Sequence, residues 1–295
     1  MSTDGPVTLT FTRQPPAWRA YARTLFARRP ALVPQGRTVP AIDARASGVT
    51  APPRRLAAYR AVCELPADGA LPLAYPHVLA MPLRLALLSC DAFPVRLLGL
   101  VHLRERIVRR RAIADDEPLD LRCSVSGHRE TDRGQEIDLL TEARAGGSVV
   151  WSETSTLLAR RRGARPARPS VPADRPPADA AVARWRVPAG IGRRYASVSG
   201  DLNPIHLGRT TARWFGFDRA IAHGMWSLSR AVAALGARVP AGAVELDARF
   251  KVPILLPAEV TLRHWSTPDG VEFVLQDEAG ERPHLVGSLG APEER

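Results

Sequence analysis

The chain has 295 residues, 45% of them hydrophobic and 24% charged, which suits one large or two ordinary folded domains and excludes a disordered or fibrous protein. Lysine plus arginine number 41 against 30 acidic residues, a net charge of +11. Because Lys251 is the only lysine, that excess is arginine, and no helix-turn-helix, zinc-finger or RNA-recognition pattern accompanies it, so no nucleic-acid partner is expected.

Cys63, Cys90 and Cys123 are too few and too scattered for a disulfide framework or a metal set. The first residues lack the basic and apolar regions of a signal peptide, and no apolar run approaches the ~20 residues of a membrane span. The expectation is a cytoplasmic chain with no membrane span.

In chain order, Val7 to Thr12 reads as a strand, and Pro15-Pro16 opens a helix over Ala17 to Arg28 with Trp18, Tyr21, Leu25 and Phe26 on one stripe. Arg29 to Pro53 is rich in proline and glycine and reads as a loop. Leu56 to Leu65 fits a strand or a short helix equally. Leu73 to Ser89 is apolar almost all round, a buried helix whose Pro82 should sit in its first turns or kink it.

Strands follow over Leu97 to Ile107, Leu119 to His128, Gln135 to Ala143 and Ser148 to Leu158, with hairpin signals at Thr131 to Gly134 and at Gly146-Gly147. Residues 163–182, rich in arginine and then proline, read as a linker. The pattern then repeats: an apolar helix over Ile221 to Leu235, then strands over Val244 to Val252, Glu259 to Trp265, Val271 to Gln276 and His284 to Leu289. Pro76-His77-Val78 aligns with Ala222-His223-Gly224, and Val101 to Ile107 with Val244 to Phe250. The expected fold class is therefore α+β: two copies of a long buried helix wrapped by an antiparallel sheet, the sheets joined edge to edge. The domains are 1–162, a linker over 163–182, and 183–295.

Only the second copy carries Gly200-Asp201-Leu202-Asn203-Pro204-Ile205-His206. By itself this is a turn, with Asp201 and Asn203 bonding their own backbone ahead of Pro204. Yet it also places a carboxylate and an imidazole on either side of a bend, the groups that proton transfer requires. Gly224, at the start of the second apolar helix, reads equally as a simple helix-start glycine or as a backbone donor to a developing oxyanion.

The run Tyr195-x-x-x-Ser199-Gly200-Asp201-x-Asn203-Pro204-x-His206, followed by Ala222-His223-Gly224-Met225 and Arg249-Phe250-Lys251-Val252-Pro253, resembles the hydratase-2 motif of the MaoC-like (R)-specific enoyl-thioester hydratases and (3R)-hydroxyacyl-thioester dehydratases. The motif match spans Tyr195 to Pro253. The first half resembles, more loosely, the degenerate repeat of the double-hotdog actinobacterial members.

The resemblance implies a double hotdog and reversible dehydration of a (3R)-hydroxyacyl thioester to a trans-2-enoyl thioester in fatty-acid metabolism. Asp201 and His206 would be the acid-base pair, Asn203 a positioning residue and Gly224 the oxyanion donor. Ser199 and His223 are candidates for substrate contact, although His77 in the same place of the first half argues for a structural role of His223; Arg249 and Lys251 either meet the phosphates of the carrier or are simply solvated basic residues of a strand. No metal or other cofactor is implied beyond the thioester carrier, which is coenzyme A or an acidic acyl carrier protein.

Small residues Ala80 and Ala86 suggest loose packing of the first helix, so that an acyl chain could run between the repeats. A monomeric pseudo-dimer or a homodimer fits equally. The competing functions are a hotdog acyl thioesterase and a non-catalytic acyl-binding or scaffold subunit.

Overall fold

The structure, a computed structural model, describes residues 6–26, 29–161 and 176–293. The first half runs β1 (Val7–Phe11), α1 (Ala17–Phe26), β2 (Ile42–Val49), α2 (Pro53–Cys63), α3 (Tyr75–Ser89), β3 (Leu100–Arg109), β4 (Leu119–Thr131), β5 (Gly134–Ala145) and β6 (Ser148–Arg160). The second half runs β7 (Ala181–Val187), α4 (Ile191–Ser199), α5 (Pro204–Leu207), α6 (Arg209–Arg213), α7 (Gly224–Leu235), β8 (Val244–Phe250), β9 (Ala258–Thr267), β10 (Gly270–Asp277) and β11 (Pro283–Gly290).

All eleven strands form one sheet in the order β1-β2-β4-β5-β6-β3-β8-β11-β10-β9-β7. Leaving β1 aside, the order reads as a mirror about β3·β8: β6 answers β11, β5 answers β10, β4 answers β9 and β2 answers β7. Strands β3 and β8 pair antiparallel from Arg104 opposite Arg249 to Arg109 opposite Val244. The two half-sheets are thus joined edge to edge through the two strands whose sequences align, and each hides an edge that would otherwise stand open.

Each half-sheet wraps a central helix, which makes the molecule a double hotdog. Helix α3 is buried on nearly every side, with Val78, Leu83 and Leu87 fully covered. Burying each such side chain is worth about 1.5–3 kcal/mol. Helix α7 buries Trp226, Leu228, Ala231 and Leu235 in the same way. The Gly146-Gly147 pair makes the expected tight hairpin between β5 and β6, both residues at positive φ (56° and 81°).

Several expectations need correction. The Arg29 to Pro53 stretch contains β2, whose inward positions Ile42, Ala44 and Ala46 are mostly small, so the apolar alternation is faint. Of the two readings of Leu56 to Leu65, the short helix is the one found, as most of it lies in α2. Pro82 falls at the middle of α3 rather than in its first turns, and the helix continues through it. On α1 the inward residues are Ala17, Ala20 and Tyr21, packed on Met81, Leu85 and Leu97, whereas Trp18 is 60% exposed; the side chains of residues 25–28 lie outside the described residues. Of the expected linker, 163–175 also lie outside the described residues, and its far end is already strand, since β7 begins at Ala181.

Candidate active site

Helix α4 ends at Gly200, whose φ of 79° reverses the chain out of the helix. The turn that follows is laced by its own side chains. Asp201 N–H donates to Ser199 Oγ (3.1 Å), Asn203 N–H donates to Asp201 Oδ1 (3.1 Å), and Ile205 N–H donates to Asn203 Oδ1 (3.4 Å). Pro204 fixes Asn203 in extended geometry (ψ 122°) and starts α5, with Asn203 as its cap. His206 therefore sits on a short helix one bend away from Asp201.

His206 Nδ1–H donates to the Ile221 carbonyl at 2.8 Å. A carbonyl only accepts, so the proton is on Nδ1 and the lone pair on Nε2. Burial keeps His206 below the ordinary histidine value, partly offset by Asp201 and the Ile221 carbonyl. Burial alone would raise the Asp201 carboxyl, but His223, His206, the Tyr21 hydroxyl and the Asn203 N–H hold it below the ordinary aspartate value. His223 is itself kept neutral, pushed down to about 3 by burial and by His206. At neutral pH the Tyr21 and Asn203 hydrogen bonds are thus what remains to favour the carboxylate. The resting pair is an ionised Asp201 and a neutral His206.

His223 stacks on His206, ring centroids 3.7 Å apart, and its Nε2–H donates to the Asp201 carbonyl at 3.1 Å. It caps α7, so Gly224 is the first residue of that helix, where N–H groups have no partner within the helix and the dipole is positive. A Cβ on Gly224 would lie 2.9 Å from the Phe250 ring. The glycine is what lets Phe250 and a ligand approach the helix start together.

Asp201, Asn203, His206, His223 and Gly224 all line one cavity of about 880 Å³. The first half lines it too, with an apolar stretch of wall (Met81, Leu85, Leu88, Leu97 and Leu100) beside polar residues such as His77, Arg84, His102 and Arg160. Ala80 and Ala86 are not part of that wall; Ala80 is fully buried in the main core. Lys251 also lines the cavity. Two candidates for substrate contact do not line it: Ser199 is fully buried with its hydroxyl committed to the turn, and Arg249 is exposed on β8. Both were picked from their place in the motif, which does not tell which face a residue presents.

Two side chains of the first half reach this turn and escaped sequence reasoning. The Tyr21 hydroxyl donates to Asp201 Oδ1 (2.8 Å) and accepts from Leu202 N–H (3.1 Å). Arg55 Nε donates to the Val198 carbonyl at 2.6 Å, steadying the end of α4. No local motif marks either residue, since their partners lie far along the chain.

The start of α3 holds a different constellation. His77 Nδ1 meets Glu153 Oε2 at 2.8 Å, and Arg84 bonds the other oxygen of Glu153, Thr141 Oγ1 (3.0 Å) and Ser155 Oγ (2.9 Å). Ser155 in turn donates to Glu105 Oε2 at 2.7 Å. Burial would raise both carboxyls. Next to His77 and Arg84, Glu153 stays well below the ordinary glutamate value, while Glu105, beside the ionised Glu153, is held well above it.

Donor atoms of Asp201, His206 and His223, and those of His77, Glu105 and Glu153, lie within 4.8 Å of one another, close enough for a cation. The first set offers two stacked imidazoles whose in-plane lone pairs do not converge, and the second already holds the Arg84 guanidinium.

Residues 180–281 match the family model described as MaoC like domain. The chain is 36% identical over 240 residues to 3-hydroxyacyl-thioester dehydratase X of Mycobacterium tuberculosis, covering 80% of this chain and 85% of that one. It belongs to the MaoC-like dehydratase family. A crystal structure of HtdX from M. tuberculosis superposes with a TM-score of 0.75 at 32% identity, covering 85% of this chain and 100% of that chain. A MaoC-like dehydratase from Phytophthora capsici gives a TM-score of 0.69 at 19% identity, over 87% and 96% of the two chains. A conserved hypothetical protein of M. tuberculosis with a double hotdog fold gives 0.54 at 14%, over 99% of each. The last two bear on the fold alone. Within the MaoC-like frame, the matched segment contains the Asp201–His206 turn and the start of α7. No helix among the described residues is long and apolar enough to cross a membrane.

Proposed function

We propose that the protein is a 3-hydroxyacyl-thioester dehydratase that interconverts (3R)-hydroxyacyl and trans-2-enoyl thioesters carried on coenzyme A or an acyl carrier protein. The observation that carries this reading is that an ionised Asp201 and a neutral His206 share one cavity with the unpaired N–H of Gly224. Dehydration needs a base for the C2 proton, an acid for the C3 hydroxyl and a donor for the thioester oxygen as it gains charge.

The Asp201–His206 pair carries no spare proton at rest. It takes the C2 proton and returns the same proton to the departing hydroxyl, so water leaves and the pair is restored. Hydration runs the same steps backwards. Gly224 N–H and the α7 dipole stabilise the enolate-like oxygen between the two transfers. Asn203 caps α5 and holds the bend. His223 supports His206 by stacking, and Lys251 offers positive charge to the carrier. The acyl chain runs along the apolar wall that α3 and β3 contribute.

In this reading 1–162 form the non-catalytic repeat and 183–295 the catalytic one, joined through 163–182. The test is an assay of enoyl thioesters of increasing chain length, following the enoyl absorbance and free thiol together. Loss of absorbance without thiol is the expected result. Thiol release would show a thioesterase, and neither signal would show a binding subunit.

A further inference from the structure

Helix α1, which belongs to the first half, carries one of the closest contacts to the Asp201 carboxylate. We propose that Tyr21 is a positioning residue of the active site, supplied by the first half: it occupies Asp201 Oδ1 and so commits Oδ2 to the proton transfers. The inference rests on the dehydratase reading of the Asp201–His206 pair.

Asp201 Oδ1 accepts two hydrogen bonds, from the Tyr21 hydroxyl at 2.8 Å and from Asn203 N–H at 3.1 Å. Oδ2 accepts none among the described residues, and His223 Nε2 stands 3.8 Å from it. The same Tyr21 oxygen accepts from Leu202 N–H at 3.1 Å. One hydroxyl thus fixes both the rotation of the carboxylate and the backbone next to it. Burial and the neighbouring carboxylate keep the Tyr21 phenol protonated, far above its ordinary value, so it remains a donor throughout the working pH range.

The donor is itself held in place. Ala17, Ala20 and Tyr21 pack against Met81, Leu85 and Leu97, and the Gln14 side chain donates to the Leu79 carbonyl at 2.6 Å. Helix α1 is thereby seated on α3, the central helix of the first half, and Tyr21 lines the shared cavity. In the second half β7 begins at Ala181, and the described residues that precede it form no helix corresponding to α1.

The experiment compares the wild type with Tyr21→Phe and Trp18→Ala in hydration of an enoyl-CoA, recording kcat, KM, the pH profile of kcat/KM and the thermal melting point. Loss of the hydroxyl should lower kcat about 10- to 100-fold, the range of one hydrogen bond to a charged group, with KM within about twofold. The acid limb should move to higher pH, because the carboxylate loses a donor that favours its ionised form. Trp18→Ala, on the exposed side of the same helix, should match the wild type.

A Tyr21→Phe variant with wild-type kcat and acid limb, whether or not its melting point falls, overturns the proposal. So does a rise in KM at unchanged kcat, which would make Tyr21 a substrate-binding group. A wild type that hydrates no enoyl thioester would instead refute the dehydratase reading itself.

Discussion

The starts of α3 and α7 occupy corresponding places in the two halves, and each carries a buried histidine, yet the two are built differently. At α7, His223 is the cap and Gly224 the first helical residue. At α3 the helix begins at Tyr75, so Val78 is its fourth residue, past the first helical N–H groups, which have no partner within a helix. The difference is not only valine against glycine. Relative to this position α3 starts three residues earlier than α7, and His77 is paired with Glu153, which also holds Arg84. Whether such a position presents a free N–H depends on where its helix starts as much as on which residue it carries.

The two halves should differ most at Asp201 and His206. Asp201→Asn and His206→Gln are each expected to slow turnover by about 10²- to 10⁴-fold, read as loss of enoyl absorbance, while His77→Gln in the first half should leave the rate of the folded protein within about threefold of wild type. Next comes conversion of one helix start towards the other. Gly224→Val should cost about 10²- to 10³-fold in kcat, because the new side chain strikes the Phe250 ring and bars the thioester from the N–H. The reverse change, Val78→Gly, should leave activity in place but lower stability by roughly 3–4 kcal/mol in a urea melt, from a lost buried side chain and a glycine within a helix.

Glu153→Gln probes what the first half does with its charges. Leaving Arg84 buried without its counter-ion should destabilise the fold by about 3–5 kcal/mol, again without a matching loss of kcat. The smallest effects are those of pH. With Asp201 and His206 both below their ordinary values, kcat/KM should hold as pH drops through 6.5, the usual histidine value, and fall only at lower pH.

Stability should behave differently. His223 and His102 are pushed down to about 3 and about 4 by burial, from 6.5. Below 6.5 the unfolded chain takes up protons that the native state refuses, so stability should decline as pH falls from 6.5 towards 4. A melt series across that window checks it. Activity surviving where stability is already declining would separate the pair from the histidines that support it.

Much of this was legible in the sequence. The two apolar helices, nine of the eleven strands and the alignment of β3 with β8 follow from periodicity, and the edge-to-edge join follows from that alignment. The turn was legible because Asp201 and Asn203 each bond the backbone two residues on, directly ahead of and across Pro204. What stayed hidden is what depends on distance or direction. Tyr21 reads as one more aromatic on an amphipathic helix, because its partner lies in the other half of the chain. Ser199 and Arg249 belong to a recognisable run, but the pattern cannot say that one turns into the backbone and the other out to solvent. Strand β2 escaped because its buried face is mostly alanine.

The seam between β3 and β8 has a further consequence. Two hotdog units meeting as separate identical chains would be bound to carry the same residues on both sides and would come apart on dilution. Here the units share one polypeptide, so their meeting is intramolecular, held at the high effective concentration a tether provides. Each unit is also free to drift alone. That freedom is what allows Gly224 to be kept on one side while Val78 stands on the other, and what lets the first half line the shared cavity and send Tyr21 to the Asp201 carboxylate.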